Sequence, residues 1–136
     1  MIQSATLMVQ QEVAQRCIAK ADSADFSSFS VFLQFYANVR YGFLVPPNCF
    51  YPAPKVDSAV IHLDLQRKFA VLDEKEFFKI VRTAFMQKRK MLRSSLRELY
   101  DVKKIEKVLE QIGMSPTARP SELAVEQWVD LIEKLS

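Results

Sequence analysis

Residues 45–63, VPPNCFYPAPKVDSAVIHL, hold four of the chain's six prolines and then change abruptly to alternation. Pro46 and Pro47, then Pro52 and Pro54, restrict the backbone to extended, polyproline-like geometry. Phe50 and Tyr51 therefore project from a loop with little entropy left to lose. A stiff loop presenting a ring suits stacking on a flat ligand such as a nucleobase. It suits plugging the end of a sheet equally well. From Asp57 the pattern alternates, with Ala59, Ile61, Leu63 and Leu65 set against Ser58, Val60, His62 and Asp64. That alternation predicts a strand over 57–65, in a mixed sheet.

Upstream, SATLMVQ (4–10) is apolar without strict alternation, which predicts a strand at a buried sheet position. QEVAQRCIAK follows with Val13, Cys17 and Ile18 at helical spacing. ADSADFSS (21–28) is a loop of turn formers. In FSVFLQFYANV, Phe29, Phe32, Leu33 and Tyr36 predict one helical face, and 39–45 predicts a strand that the prolines end. After Gln66 the period changes from two to that of a helix. Residues 72–99 read as one long helix or two abutting ones. KKIEKVLEQIG reads as a shorter helix that Gly113 caps, and Ser121 as the start of a last helix. Three strands without closing neighbours make a small core, which suggests a piece of a larger domain cut before the strand at 4–10.

Composition narrows the chemistry. The 136 residues are 49% hydrophobic and 26% charged, which suits a soluble globular protein. No apolar run approaches the roughly 20 residues of a membrane helix, and no basic stretch precedes the first apolar run as in a signal peptide. Two cysteines and one histidine fall short of the about four close-spaced ligands of a structural zinc site, and reduced thiols in a cytoplasmic protein are expected. The two glycines, Gly42 and Gly113, lie in no strand–turn–helix cluster. A nucleotide or S-adenosylmethionine loop uses glycines to let backbone approach its ligand, so this stretch offers no cofactor cradle of that kind.

Charge is unevenly spread. Residues 1–66 hold 4 Lys and Arg against 5 Asp and Glu, and residues 67–136 hold 15 against 11, so −1 and +4 make up the net +3. Between Lys79 and Arg97 there are seven basic side chains and no acidic one. On a continuous helix, Lys75, Lys79, Arg82, Arg89, Arg93 and Arg97 fall within roughly 80° of one another, opposite Phe77, Phe78, Ile80, Val81, Ala84, Phe85, Met91, Leu92 and Leu96. A one-signed ridge suits a polyanion, whereas a merely solvated face usually mixes signs to gain i,i+4 pairs. Lys88 projects onto the apolar side of that helix. Either the helix breaks near Gln87, or Lys88 reaches a cleft between the two halves of the chain, or its stem snorkels at the rim.

Three ordered blocks resemble one family. PPNCFYPAPKVDSAVIHL resembles the late methyltransferase motif of the ribosomal RNA adenine N6-dimethyltransferases of the KsgA type. LMVQQEVAQR resembles their strand and helix after the catalytic motif, and AFMQKRKMLRSSL the start of their C-terminal helical domain. The resemblance implies an α+β chain. Residues 1–66 would end a Rossmann-like methyltransferase sheet, with about three strands, and 67–136 would form a small all-α RNA-binding domain. It implies methyl transfer from S-adenosylmethionine to adenine N6 in small-subunit (16S) rRNA of a pre-30S particle, with Phe50 holding a flipped adenine. It also implies rRNA contact by Lys88, Arg89, Lys90 and Arg93, beside Arg82 and Arg97 of the basic run. Gln11 stands where the family suggests lysine. The family's glycine-rich loop, acidic ribose-binding residue and Asn-Leu-Pro-Tyr-like motif are not in these residues, so the stretch alone is expected neither to bind the methyl donor nor to methylate. A non-catalytic RNA-binding or assembly module remains an alternative, as does a macrolide-resistance methylase acting on large-subunit rRNA. An exposed sheet edge would allow self-association.

Overall fold

The computed structural model describes residues 3–49, 51–52, 55–66 and 69–136. Three strands form one sheet: β1 (Ser4–Gln10), β2 (Ala37–Val45) and β3 (Ser58–Leu65), in the order β1-β3-β2. Both pairings are antiparallel, so β1 and β2 run the same way with β3 inserted between them. The expected mixed sheet therefore becomes an antiparallel one, because β3 separates the two strands that share a direction. Its alternation is met in detail: Ala59, Ile61 and Leu63 are buried.

β1 departs from expectation. Read as a buried strand, it is exposed over most of its length, with Leu7 and Met8 at 45% and 54%. The physical reason is its position: among the described residues it pairs only with β3, and its other edge faces solvent. β2 carries a bulge at Gly42, where the register steps from Tyr41 opposite Ile61 to Phe43 opposite Val60. A Cβ at Gly42 would sit 2.8 Å from the Val60 carbonyl oxygen, so a side chain there would push the strands apart.

α1 (Gln11–Ile18) packs on the sheet through Ala14 and Cys17. Its last carbonyls are satisfied by α2 (Ser28–Tyr36), whose Gln34 side-chain amide donates to Cys17 O at 3.0 Å and Ala19 O at 2.8 Å. The buried residues of α2 are Ser30, Val31 and Phe35, whereas Phe29 and Phe32 of the expected face are exposed. α2 touches two cores, so its periodicity is mixed. Leu33 packs with the sheet cluster, while Val31 and Phe35 join the larger cluster of the helical region.

That larger cluster is built from α3 (Glu74–Phe85), the single turn α4 (Leu92–Ser95), α5 (Val102–Gln111) and α6 (Val125–Leu135), around Phe77, Ile80, Leu96, Leu109 and Trp128. Asp73 caps α3, its carboxylate accepting from Glu76 N at 3.2 Å. Residues 72–99, expected as one long helix or two abutting ones, form neither: α3 ends at Phe85, turns carry the chain to Leu92, and only the single turn α4 follows. Lys88, Arg89 and Lys90 then lie just past the carbonyl end of α3, where cations are favoured by the helix dipole. Gly113 ends α5 as expected. Its φ of +84° allows Gly113 N to bond Glu110 O and Met114 N to bond Leu109 O, the Schellman pair. Ser121 lies instead in a short 3-10 turn, and α6 begins at Val125 with Gln127 Oε1 accepting from Ala124 N at 2.9 Å.

Candidate nucleic-acid interface

The break after Phe85 rearranges the basic run. A continuous helix would have strung the cations along a ridge; the turns fold them around a concavity instead. A surface cavity of about 630 Å³ opens between the C-terminal end of α3, α4 and the loop before α6. Arg89, Lys90 and Arg97 line it, and Arg119 enters from the far wall. The Thr83, Ser94 and Ser95 hydroxyls stand among the cations, and Glu98 supplies one carboxylate at the edge. Four guanidinium or ammonium groups against one carboxylate leave the cavity strongly positive, and the arginine forks match phosphate oxygens.

Arg119 was not evident from the sequence, where it stands apart from every other cation in the loop 114–120. Main-chain bonding brings it into place. Leu92 N donates to Ala118 O at 2.8 Å, tying the start of α4 to this loop, and Arg119 N donates to the Glu122 carboxylate. Ala118 and Leu92 are both buried, so the tie is anchored in the core. The only sequence signal is a short loop running from Gly113 to Pro120 that returns the chain toward α4.

The remaining expected contacts sit elsewhere. Arg82 is exposed on α3 and does not line the cavity. Arg93 faces α5, where its Nη1 lies 3.7 Å from Glu106 Oε1, both side chains about one-third exposed. Lys88 reaches the first half of the chain: its Nζ donates to Ala24 O at 2.8 Å, in the loop between α1 and α2. Both anticipated events occur together there, the helix break and the reach across. Asp22 N bonds Ser121 O in the same loop, and Phe26 inserts its ring beside Phe85, which in turn stacks near Trp128. The loop is stitched to the helical region by main chain, cation and ring.

Phe50 lies outside the described residues. Around it, Pro47–Cys49 form a 3-10 turn closed by Cys49 N donating to Pro46 O at 3.1 Å, and Tyr51 is fully exposed. At the foot of this loop a cavity of about 340 Å³ is lined by Gln10, Gln11, Pro47, Lys55 and Asp57. Gln11 N donates to Asp57 O at 2.9 Å, and Tyr41 Oη donates to Gln11 Oε1 at 2.9 Å. A lysine at position 11 would have no acceptor for that tyrosine; the amide does. Cys17 is buried, which pushes its thiol above its ordinary range, while Cys49 is exposed. No cluster of metal-ligating side chains occurs among the described residues.

The family model for ribosomal RNA adenine dimethylase matches residues 1–136. The chain belongs to that family. It is 53% identical over 132 residues to a ribosomal RNA small subunit methyltransferase A of Protochlamydia amoebophila, covering 97% of this chain and 46% of the relative. A protein of the same name from Chlamydia trachomatis serovar L2 is 46% identical, with 96% and 48% covered. The chain thus spans about half the length of the curated relatives it matches. Among solved structures, a dimethyladenosine transferase from Plasmodium falciparum superposes with a TM-score of 0.84 at 23% identity, covering 98% of this chain and 57% of the other. The 23S rRNA methyltransferase ErmE superposes with a TM-score of 0.70 at 24% identity. These two show the fold: the sheet is the end of a Rossmann-like methyltransferase sheet. In this member of the family the cavity at Arg89 is lined by four cations and one carboxylate, and among the described residues no helix is long and apolar enough to cross a membrane.

Proposed function

We propose that this chain is the rRNA-docking half of a small-subunit rRNA adenine N6,N6-dimethyltransferase that acts on a pre-30S particle in the cytoplasm. Arg89, Lys90, Arg97 and Arg119 take the phosphates of a folded rRNA segment, with Arg82 flanking them. Phe50 holds the extruded adenine at the proline-framed loop. The gathering of Arg119 with Arg89, Lys90 and Arg97 around one cavity carries this reading, because nothing in local helix propensity requires four cations from two separate segments to converge. S-adenosylmethionine would supply the methyl group in the complete enzyme. Transfer to N6 needs the amine held in line with the sulfonium methyl, and the residues described here form no glycine-lined cradle for the donor. The small-subunit assignment rests on the relatives' names, 46–53% identical to this chain. We also propose that the free edge of β1 lets isolated chains associate.

Binding of a small-subunit rRNA fragment as a function of salt tests the docking reading. Each phosphate contact removed lowers the slope of log affinity against log salt by about 1. Arg89→Glu with Arg97→Glu should weaken binding and flatten that slope, and Arg119→Ala should flatten it by about one contact. An unchanged slope in both variants sinks the docking assignment.

A further inference from the structure

At the opposite end of α3 the chain carries a second concavity with the reverse chemistry. A groove of about 490 Å³ runs between residues 70–72, the first turn of α3 and the last turn of α6. That volume lies in the roughly 300–1,000 Å³ range of ligand-binding clefts. Its floor is apolar, formed by Val71, Phe77 and Ile132, and Leu72 stands fully exposed at 105% on its rim. Asp73, Glu76 and Glu133 line it, and no basic side chain does so among the described residues.

Two of the three carboxylates have an ordinary explanation, since Asp73 and Glu76 lie at the amide end of α3, where acids are favoured. Glu133 does not. It sits in the last turn of α6, at the carbonyl end of the helix, where a carboxylate is disfavoured. None of the three makes an ion pair among the described residues. In a chain of net charge +3, the groove's described lining is acidic over apolar surface, while one cation at this end of α6, Lys104, donates its Nζ to Leu135 O at 2.9 Å.

We propose that this groove docks a cationic peptide segment with an aliphatic anchor, the kind of segment that a basic RNA-associated protein presents. The anchor fills the space over Phe77 and Ile132 beside Leu72, and the segment's lysines or arginines meet Asp73, Glu76 and Glu133. A nucleic acid is excluded by the same carboxylates. From Glu76 to Met86 the rise along α3 is about 15 Å, so the groove and the basic cavity can be occupied at once. The inference stands apart from the RNA reading, since it uses none of the cavity's residues.

The probe is a fluorescent twelve-residue peptide of leucines and arginines, compared with a leucine–glutamate peptide of equal length and with a single-stranded RNA oligomer. Anisotropy gives affinity, and amide shifts in the 136-residue chain locate the site. The expected result is binding of the arginine peptide alone, with shifts confined to residues 70–77 and 132–136. Affinity should drop about tenfold or more in Glu133→Lys, through like-charge repulsion. Leu72→Ser, at a side chain wholly in solvent and therefore harmless to folding, should weaken it too, and RNA binding at the cavity should be unaffected by either. Equal binding of the glutamate peptide overturns the proposal, as do RNA shifts in the groove. Chain dimerisation that Leu72→Ser abolishes overturns it as well, because a second copy would then be the occupant.

Discussion

The sheet region and the helical region bury their apolar residues to very different degrees. The buried members of the sheet cluster are Ala14, Cys17, Ala37, Ala59, Ile61 and Leu63, while Leu7, Met8, Phe43 and Leu44 remain exposed. The helical cluster encloses Trp128, Phe77, Ile80, Leu96 and Leu109 completely and draws Phe26, Val31 and Phe35 from the first half of the chain. Among the described residues the sheet has an unpaired edge at β1 and a face covered by α1 and Leu33 of α2, whereas the helical core, which recruits the loop before α2, is closed. The contrast predicts where stability resides: the larger buried cluster should make the helical region the main contributor, with α2 and its preceding loop joining the sheet to it.

The largest test of that contrast is Leu96→Ala. Leu96 is fully buried between α4 and the rest of the helical cluster, and truncating a buried leucine costs about 2–5 kcal/mol. Urea unfolding followed both by the fluorescence of Trp128, the single tryptophan, and by far-ultraviolet circular dichroism should show both signals shifting together. Separate transitions would mean that the sheet survives without the helical core, and the contrast would fail.

Gly42→Ala probes the other side. The added Cβ meets the Val60 carbonyl oxygen at 2.8 Å, a main-chain atom that cannot rotate away, and overpacking of this kind costs about 1–3 kcal/mol. Hydrogen exchange should quicken in β2 and β3 while α3 and α6 stay protected. A uniform loss of protection would show instead that the sheet and helices open as one unit.

Much of this division was legible in the sequence. Alternation marked β3, the prolines after Val45 marked the end of β2, an apolar run marked β1, and spacing marked the buried residues of α3, because all of these are local patterns. What stayed hidden was non-local. α2 serves two cores, so neither face of its helical wheel was decisive and Phe29 and Phe32 were misplaced. The end of α3 at Phe85 has no proline or glycine to announce it. The basic cavity depends on that break and on Arg119, which a main-chain bond between Leu92 and Ala118 delivers from a separate loop. Arg93 finds Glu106 across the α4–α5 packing, a pairing that a linear count of acids between Lys79 and Arg97 could not contain.

Lys88→Met sharpens the role of the joint. It keeps the aliphatic stem and removes the ammonium that donates to Ala24 O. The half-buried site makes this a loss of about 0.5–1.5 kcal/mol, smaller than at Gly42. The expected signature is local: faster amide exchange across residues 20–27, with the rRNA salt slope unchanged. A slope lowered by about 1 would instead assign Lys88 a phosphate contact of its own.

The smallest effect is a pH dependence of the sheet core. Burial holds the Cys17 thiol above its ordinary value of 9.0, so the native state keeps its proton over a range in which the unfolded chain has lost it. The contribution is therefore complete below the unfolded thiol's pKa and is lost as pH rises through the folded one. Stability measured in urea should decline above about pH 9, and Cys17→Ala should reduce that slope while removing a little packing. Because Cys17 belongs to the sheet cluster and not to the helical one, the alkaline loss should appear first as exchange in α1 and β3. If it appeared first in α6, the thiol would be reporting on the wrong region, and the contrast between an open and a closed core would have to be redrawn.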